Sequence, residues 1–194
     1  MTAAPIREEA AYPGMRITLE ARLENARISV QVDIGFGDVV TPNPVEVEFP
    51  VLLDFPAPHL RAYPIYTVVA EKLEASVRLG EANTRMKDFF DLWFLSRKFP
   101  FEGELLKDAI TRTFARREMP LPIAVPVALT PEFAALKAAT WAVFVRRNAL
   151  APVEMAATLD AIRVFAWPVL EVAAKAMAFS ANWTPAKGWL PPEE

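Results

Sequence analysis

Three short clusters carry the residue types that chemistry needs. The first is Asp33. It follows a run in which Ile28, Val30 and Val32 alternate with Ser29 and Gln31, so on a strand its carboxylate falls on the polar face. Gly35-Phe36-Gly37-Asp38 comes next, and two glycines there suggest a bulge or a close backbone approach to a ligand. An acid on an open sheet face beside such a turn is a metal ligand, or else a solvated strand residue leading into an Asx turn at Asp38.

The second cluster is Ala70-Glu71-Lys72-Leu73-Glu74-Ala75. Lys72 sits at the border of an apolar helical stripe. From there it can reach into a cleft and neutralise phosphate oxygens, or it can snorkel at the surface. Glu74 and Arg78 are spaced for an exposed i,i+4 pair. The third cluster is Arg85-Met86-Lys87-Asp88-Phe89-Phe90-Asp91. Asp88 and Asp91 share a helix face. They either complement the helix dipole or orient a reacting hydroxyl or ribose, with Arg85 and Lys87 near the phosphates. No Walker loop is present, and Gly35-Phe36-Gly37 does not continue into a dinucleotide fingerprint.

Other groups offer less. Arg112, Arg116, Arg117, Arg146 and Arg147 form either an RNA-contacting patch or ordinary solvated helix faces. Phe89, Phe90, Trp93, Phe94 and Phe99 read as core. His59, the single histidine, reads as a loop or strand-start residue, and one histidine excludes His-rich metal sites and Ser-His-Asp triads. The absence of cysteine excludes thiol chemistry and Cys-ligated zinc, and it suits a cytoplasmic location. The 194 residues carry a net charge of −3, so nucleic acid would have to meet a local patch rather than bulk charge. The apolar stretch from Ala149 to Phe179 is interrupted by charges and reads as amphipathic helix, not membrane span.

The elements that must position these groups change character along the chain. Alternation on both sides of Glu24-Asn25 predicts a β-hairpin, and Val45, Val47 and Phe49 predict a further strand. From about Thr67 the period becomes helical. A second helix is expected over about Thr84 to Arg97, capped by Asn83 or Thr84, and a third over Gly103 to Arg117. Pro120, Pro122 and Pro126 mark a linker. Pro131 opens a helix reaching Arg147. Pro152 opens another that Pro168 should kink or divide and that Glu171 to Phe179 continues. The expected architecture is α+β: a partial sheet over 1–66, motif-bearing helices over 67–119 and a helical region over 120–194.

In this order, Gln31 to Asp38, Val69 to Ala75 after Tyr63-Pro64, and Asn83 to Leu92 resemble consecutive motifs of the AbiEii/AbiGii toxin family, which includes MenT-type toxins. The resemblance runs over roughly residues 5–190, including Trp183 and Trp189. It implies a polymerase-β-like nucleotidyltransferase that moves a nucleotide from an Mg²⁺-bound NTP to an RNA acceptor, with the tRNA 3′ end as the expected target and a cognate antitoxin as partner. By motif, the resemblance makes Asp33 a metal carboxylate, Lys72 the triphosphate lysine and Asp88 the aspartate of Lys-Asp-x-x-Asp. Arg85, Lys87 and Asp91 become their support.

The family pattern begins with a Gly-Ser motif and an Asp-x-Asp strand whose carboxylates hold the metal. Nothing before Asp33 supplies them; Glu8 and Glu9 are adjacent and would point apart on a strand. The expectation is a chain lacking the N-terminal part of its site, through a late start or a truncated gene, and therefore impaired. The rival expectations are a non-catalytic remnant that still binds NTP, RNA or antitoxin, and a defective, aggregating product.

Overall fold

A computed structural model describes residues 1–6 and 14–192. Glu8 and Glu9 lie outside the described residues. The chain divides into two compact units, Met1–Val39 and Val40–Glu194.

The first unit is a three-stranded antiparallel sheet in the order β1 (Thr2–Pro5), β2 (Gly14–Leu23), β3 (Ala26–Gly35). The expected hairpin forms about Glu24-Asn25, with Ile17 opposite Val32 and Leu19 opposite Val30. Strand alternation therefore gathers the apolar side chains on one face. On that face Ile28, Val30 and Val32 are each more than a third exposed.

The second unit opens with the antiparallel pair β4 (Val45–Glu48) and β5 (His59–Ala62), which His59 begins. Helix α1 (Ile65–Leu79) follows. Pro64 stands at its N-cap, where a missing N–H costs nothing, and Gly80 ends it at φ 50°, a conformation that a Cβ disfavours. Then come α2 (Met86–Lys98), the short β6 (Phe101–Glu102), α3 (Gly103–Arg116), α4 (Pro131–Arg147) and α5 (Met155–Ala174). Thr130 caps α4 by accepting the Phe133 amide, and Pro131 occupies its first turn as expected.

One apolar core joins these helices. Leu73 of α1, Phe89 and Leu92 of α2, Ile110 and Phe114 of α3, Trp141 of α4 and Phe165 of α5 are all essentially inaccessible to water. The proline-rich segment after α3 joins this unit too. Met119 and Leu121 pack on the core, and Ala128 and Leu129 in the short turn Val127–Leu129 are buried.

The structure corrects several expectations. Helix α5 runs through Pro168 undivided and stops at Ala174, so Glu171 to Phe179 is not a continuous helix. The tail forms strands β7 (Asn182–Thr184) and β8 (Gly188–Leu190), which join β6 in a sheet. Two indole N–H groups decide this: Trp183 donates to the Ser96 carbonyl at 2.6 Å, and Trp189 donates to the Phe165 carbonyl at 2.9 Å. Buried Trp rings need such partners, and the tail closes over Phe165 to provide them. Gly103 permits the closure, since a Cβ there would collide with the Ala181 carbonyl and with Phe179. Phe89 is core as expected, but Phe94 and Phe99 are not; both are more than a third exposed. Among the described residues no helix is long and apolar enough to cross a membrane.

Candidate active site

Helix α1 places Lys72 on the edge of its buried face. Val69, Leu73 and Ser76 point inward, and the lysine stem follows them. Helix α2 crosses so that both acids of its first two turns meet the ammonium. Lys72 Nζ lies 2.7 Å from Asp88 Oδ1 and 2.8 Å from Asp91 Oδ2. All three side chains are mostly shielded, with 17 %, 20 % and 23 % of their surfaces accessible. Lys87 reaches the same Asp91 oxygen at 2.6 Å, and Arg85 stands 3.8 Å from Asp88. The structure thus brings five of the expected residues, Lys72, Arg85, Lys87, Asp88 and Asp91, into one cluster.

The electrostatics follow from this geometry. Burial pulls the Lys72 ammonium down, but the bonds from Asp88 and Asp91 outweigh it and hold the group above its ordinary value. Burial pushes the Asp91 carboxyl up, but Lys72 and Lys87 outweigh it and hold the group below its usual range. Lys72 is therefore a fixed cation at neutral pH, not a base.

The start of α2 differs from the expected cap. Arg85 occupies the N-cap, and no side chain caps the helix there. Asn83 instead accepts the Arg85 amide at 2.8 Å, which fixes the turn that presents Arg85.

Sequence reasoning missed the support beneath Lys72. Glu74 does pair with Arg78, at 2.9 Å, but the pair is not exposed as expected: the Glu74 side chain has no accessible surface. Its second oxygen takes a bond from Arg117, at the end of α3. Arg117 also stands 3.7 Å from Glu71. Burying a carboxylate without partners would be very costly, so two guanidiniums converge on it. One signal was available in the sequence: Glu74 lies four residues after Ala70 and three before Val77, inside the apolar stripe. Arg117, Lys72, Arg85, Glu71 and Asp88 line a cleft of about 200 Å³.

A wider groove of about 680 Å³ adjoins it and shares Arg85 and Asp88. It lies between the start of α2 and the end of α4, and Arg147 lines it. Arg146 faces a separate depression with Trp141 and Glu154. Arg112 and Arg116 lie on α3, where Arg112 pairs with Asp108 at 2.8 Å.

Asp33 belongs to the first unit. It lies opposite Arg16 in the β2–β3 ladder, and the guanidinium bonds both carboxylate oxygens, at 2.8 and 2.9 Å. Gln31 adds longer contacts at 3.2 and 3.3 Å. The Arg16 bond holds the Asp33 carboxyl below its usual range.

A model of the family described as "Nucleotidyl transferase AbiEii toxin, Type IV TA system" matches residues 1–163. The chain belongs to this family. Membership implies a nucleotidyltransferase toxin with a nucleotide substrate and an antitoxin partner. The match spans all three motif clusters and ends before Trp183 and Trp189. No curated protein and no solved structure matches the chain.

The family also suggests a divalent metal. The described residues do not fit one. Among them no three His, Asp or Glu side chains converge. Asp33 is saturated by Arg16, and Asp88 and Asp91 are engaged by Lys72. To take a cation, Asp33 would have to release the guanidinium.

Proposed function

We propose that the Lys72 cluster is the NTP phosphate site of a nucleotidyltransferase toxin whose acceptor is RNA, with the tRNA 3′ end as target. The observation that carries this reading is the shielded Lys72 ammonium held between Asp88 and Asp91, with Arg85 at the rim of the same cleft. A permanently charged lysine with its stem packed in the core is a pre-positioned counter-ion for a phosphate. Phosphates that draw Lys72 toward them release Asp88, which can then accept a hydrogen bond from the ribose or the attacking hydroxyl. In the family's reaction the acceptor 3′ oxygen attacks the α-phosphorus and pyrophosphate leaves. Arg85 and Lys87 offset the charge on the phosphates. Asp33 is the family's metal-carboxylate position, and Mg²⁺ is the metal expected with NTP. Arginines of α3 and α4, Arg112, Arg116, Arg146 and Arg147, are the cations on offer to the acceptor strand.

These 194 residues, taken by themselves, supply one of the three expected metal carboxylates, so transfer by this chain alone is expected to be weak. The second reading is a non-catalytic NTP- or RNA-binding chain. It is favoured by the contrast between an ordered Lys72 cleft and described residues that do not fit a metal centre. Labelled NTP with tRNA, and calorimetry with Mg-ATP, separate the two. Robust incorporation abolished by Lys72→Ala and Asp88→Ala supports an active enzyme and overturns the expected impairment. Heat of binding without incorporation supports the binding reading. Absence of heat at millimolar nucleotide sinks the phosphate site itself.

A further inference from the structure

The groove between α2 and α4 has a composition unlike the rest of this acidic chain. Arg85, Lys87 and Arg147 face it against one carboxylate, Asp88. Lys87 is bonded to Asp91, and Arg85 stands a loose 3.8 Å from Asp88. Among the described residues Arg147 has no carboxylate partner at all.

The wall opposite the cations suits a base. Thr140, Phe144 and Arg147 recur at i, i+4 and i+7, so they stand in one row on α4. Phe144 is half-buried, and its position is fixed by ring contacts with Trp141 at 5.5 Å and Phe90 at 6.1 Å. Asn148, which also lines the groove, donates its side-chain amide N–H to the Phe144 carbonyl. A fixed aromatic edge with Thr and Asn at its flanks, rimmed by guanidiniums, is the combination that single-stranded nucleic acid uses: cations track the backbone while bases rest on apolar surface.

We propose that this groove holds the last nucleotides of the single-stranded RNA acceptor, with Arg147 on a backbone phosphate and Phe144 under a base. The proposal rests on the nucleotidyltransferase reading above and deepens it. The groove and the Lys72 cleft share Arg85 and Asp88, so a strand lying along α4 delivers its 3′ end to the side of the cluster where the NTP phosphates sit. Of the five candidate RNA arginines, Arg147 is the one that lines this groove.

The test measures two affinities on the full chain. Anisotropy of a short dye-labelled single-stranded oligoribonucleotide, over a series of salt concentrations, reports the groove. Calorimetry with Mg-ATP reports the cleft. Arg147→Ala should weaken RNA about tenfold and flatten the salt slope by about 0.7, one phosphate contact on a single strand. Thr140→Trp, an exposed change that fills the groove, should weaken RNA without altering the salt slope. Both variants should leave the Mg-ATP affinity unchanged, whereas Lys72→Ala should do the reverse. RNA affinity indifferent to both groove variants overturns the proposal, as does a loss of Mg-ATP affinity in their place. A parent chain that binds Mg-ATP but no RNA also overturns it while the phosphate site stands. A chain that binds RNA through Arg147 but no Mg-ATP keeps the groove and removes the phosphate site.

Discussion

Arg117 at the end of α3 donates to the buried carboxylate of Glu74 in α1, 43 positions earlier. This bond ties the helix that carries Lys72 to the helix that follows the Lys-Asp-x-x-Asp motif. Glu74 also holds Arg78, so one inaccessible carboxylate organises two guanidiniums. Helix α1 is thereby fixed in rotation, and Lys72, two residues before Glu74, inherits that orientation.

Glu74→Gln should therefore destabilise the chain by about 3–5 kcal/mol, the usual cost of breaking a buried pair from one side. Urea unfolding followed by far-ultraviolet circular dichroism measures it. Arg78→Ala should cost much less, under about 1 kcal/mol, because that guanidinium is 42 % accessible. Equal effects of the two changes would argue against Glu74 as the organising group.

The Lys72–Asp91 bond gives a pH dependence with a defined sign. The folded Asp91 carboxyl lies below its ordinary value, so its stabilisation is present above the unfolded value of about 3.9 and fades as pH falls through the lower folded one. The folded Lys72 ammonium lies above its ordinary value, so its stabilisation is present below about 10.4 and fades as pH rises through the higher folded one. Thermal melts of Asp91→Asn against the parent should show a deficit of about 1–2 kcal/mol at neutral pH that closes below about pH 4. A deficit that persists unchanged into acid would contradict the ion-pair account.

Asp33→Asn separates structure from chemistry in the first unit. Its ion pair with Arg16 is more than 40 % accessible on both sides, and such pairs are screened by water. The thermal midpoint should not move measurably. Any loss of Mg²⁺-dependent transfer in this variant would then report a role for the carboxylate itself. A large fall in the midpoint would show that the Arg16 bond is structural.

Trp183 fastens the tail to the helical core. Trp183→Phe keeps an edge-to-face ring contact with Phe165 but loses the bond to the Ser96 carbonyl, and should cost about 1–1.5 kcal/mol. Trp183→Ala also opens a cavity and should cost about 3–5 kcal/mol. Native-state hydrogen exchange in β7 and β8 would rise first if this is the fastening point.

Much of this was legible in the residues. The β2–β3 hairpin, its turn and the face of Asp33 follow from strict alternation, because a strand has a period of two and a one-residue slip inverts every side chain. The start of α4 follows from Pro131, which suits a first helical turn. The Lys-Asp-x-x-Asp spacing put Asp88 and Asp91 on one face, and the order of the three motifs pointed to the family. These are local properties, written within a few residues of where they act.

What the sequence could not decide was which distant groups meet. Two acids on a helix face are equally consistent with a solvated dipole pair; only the crossing of α1 and α2 puts the Lys72 ammonium between them. Glu74 read as an exposed partner of Arg78, because a pairwise i,i+4 rule does not see the third helix that covers it. The tail read as helix because nothing local shows that its two indoles bond carbonyls on α2 and α5. In each case the deciding energy is the desolvation of a polar group by residues far along the chain. That cost exists only once the core has closed, so the chain alone fixed the local elements and their family, and the tertiary packing fixed the partners of Lys72, Glu74 and Trp183.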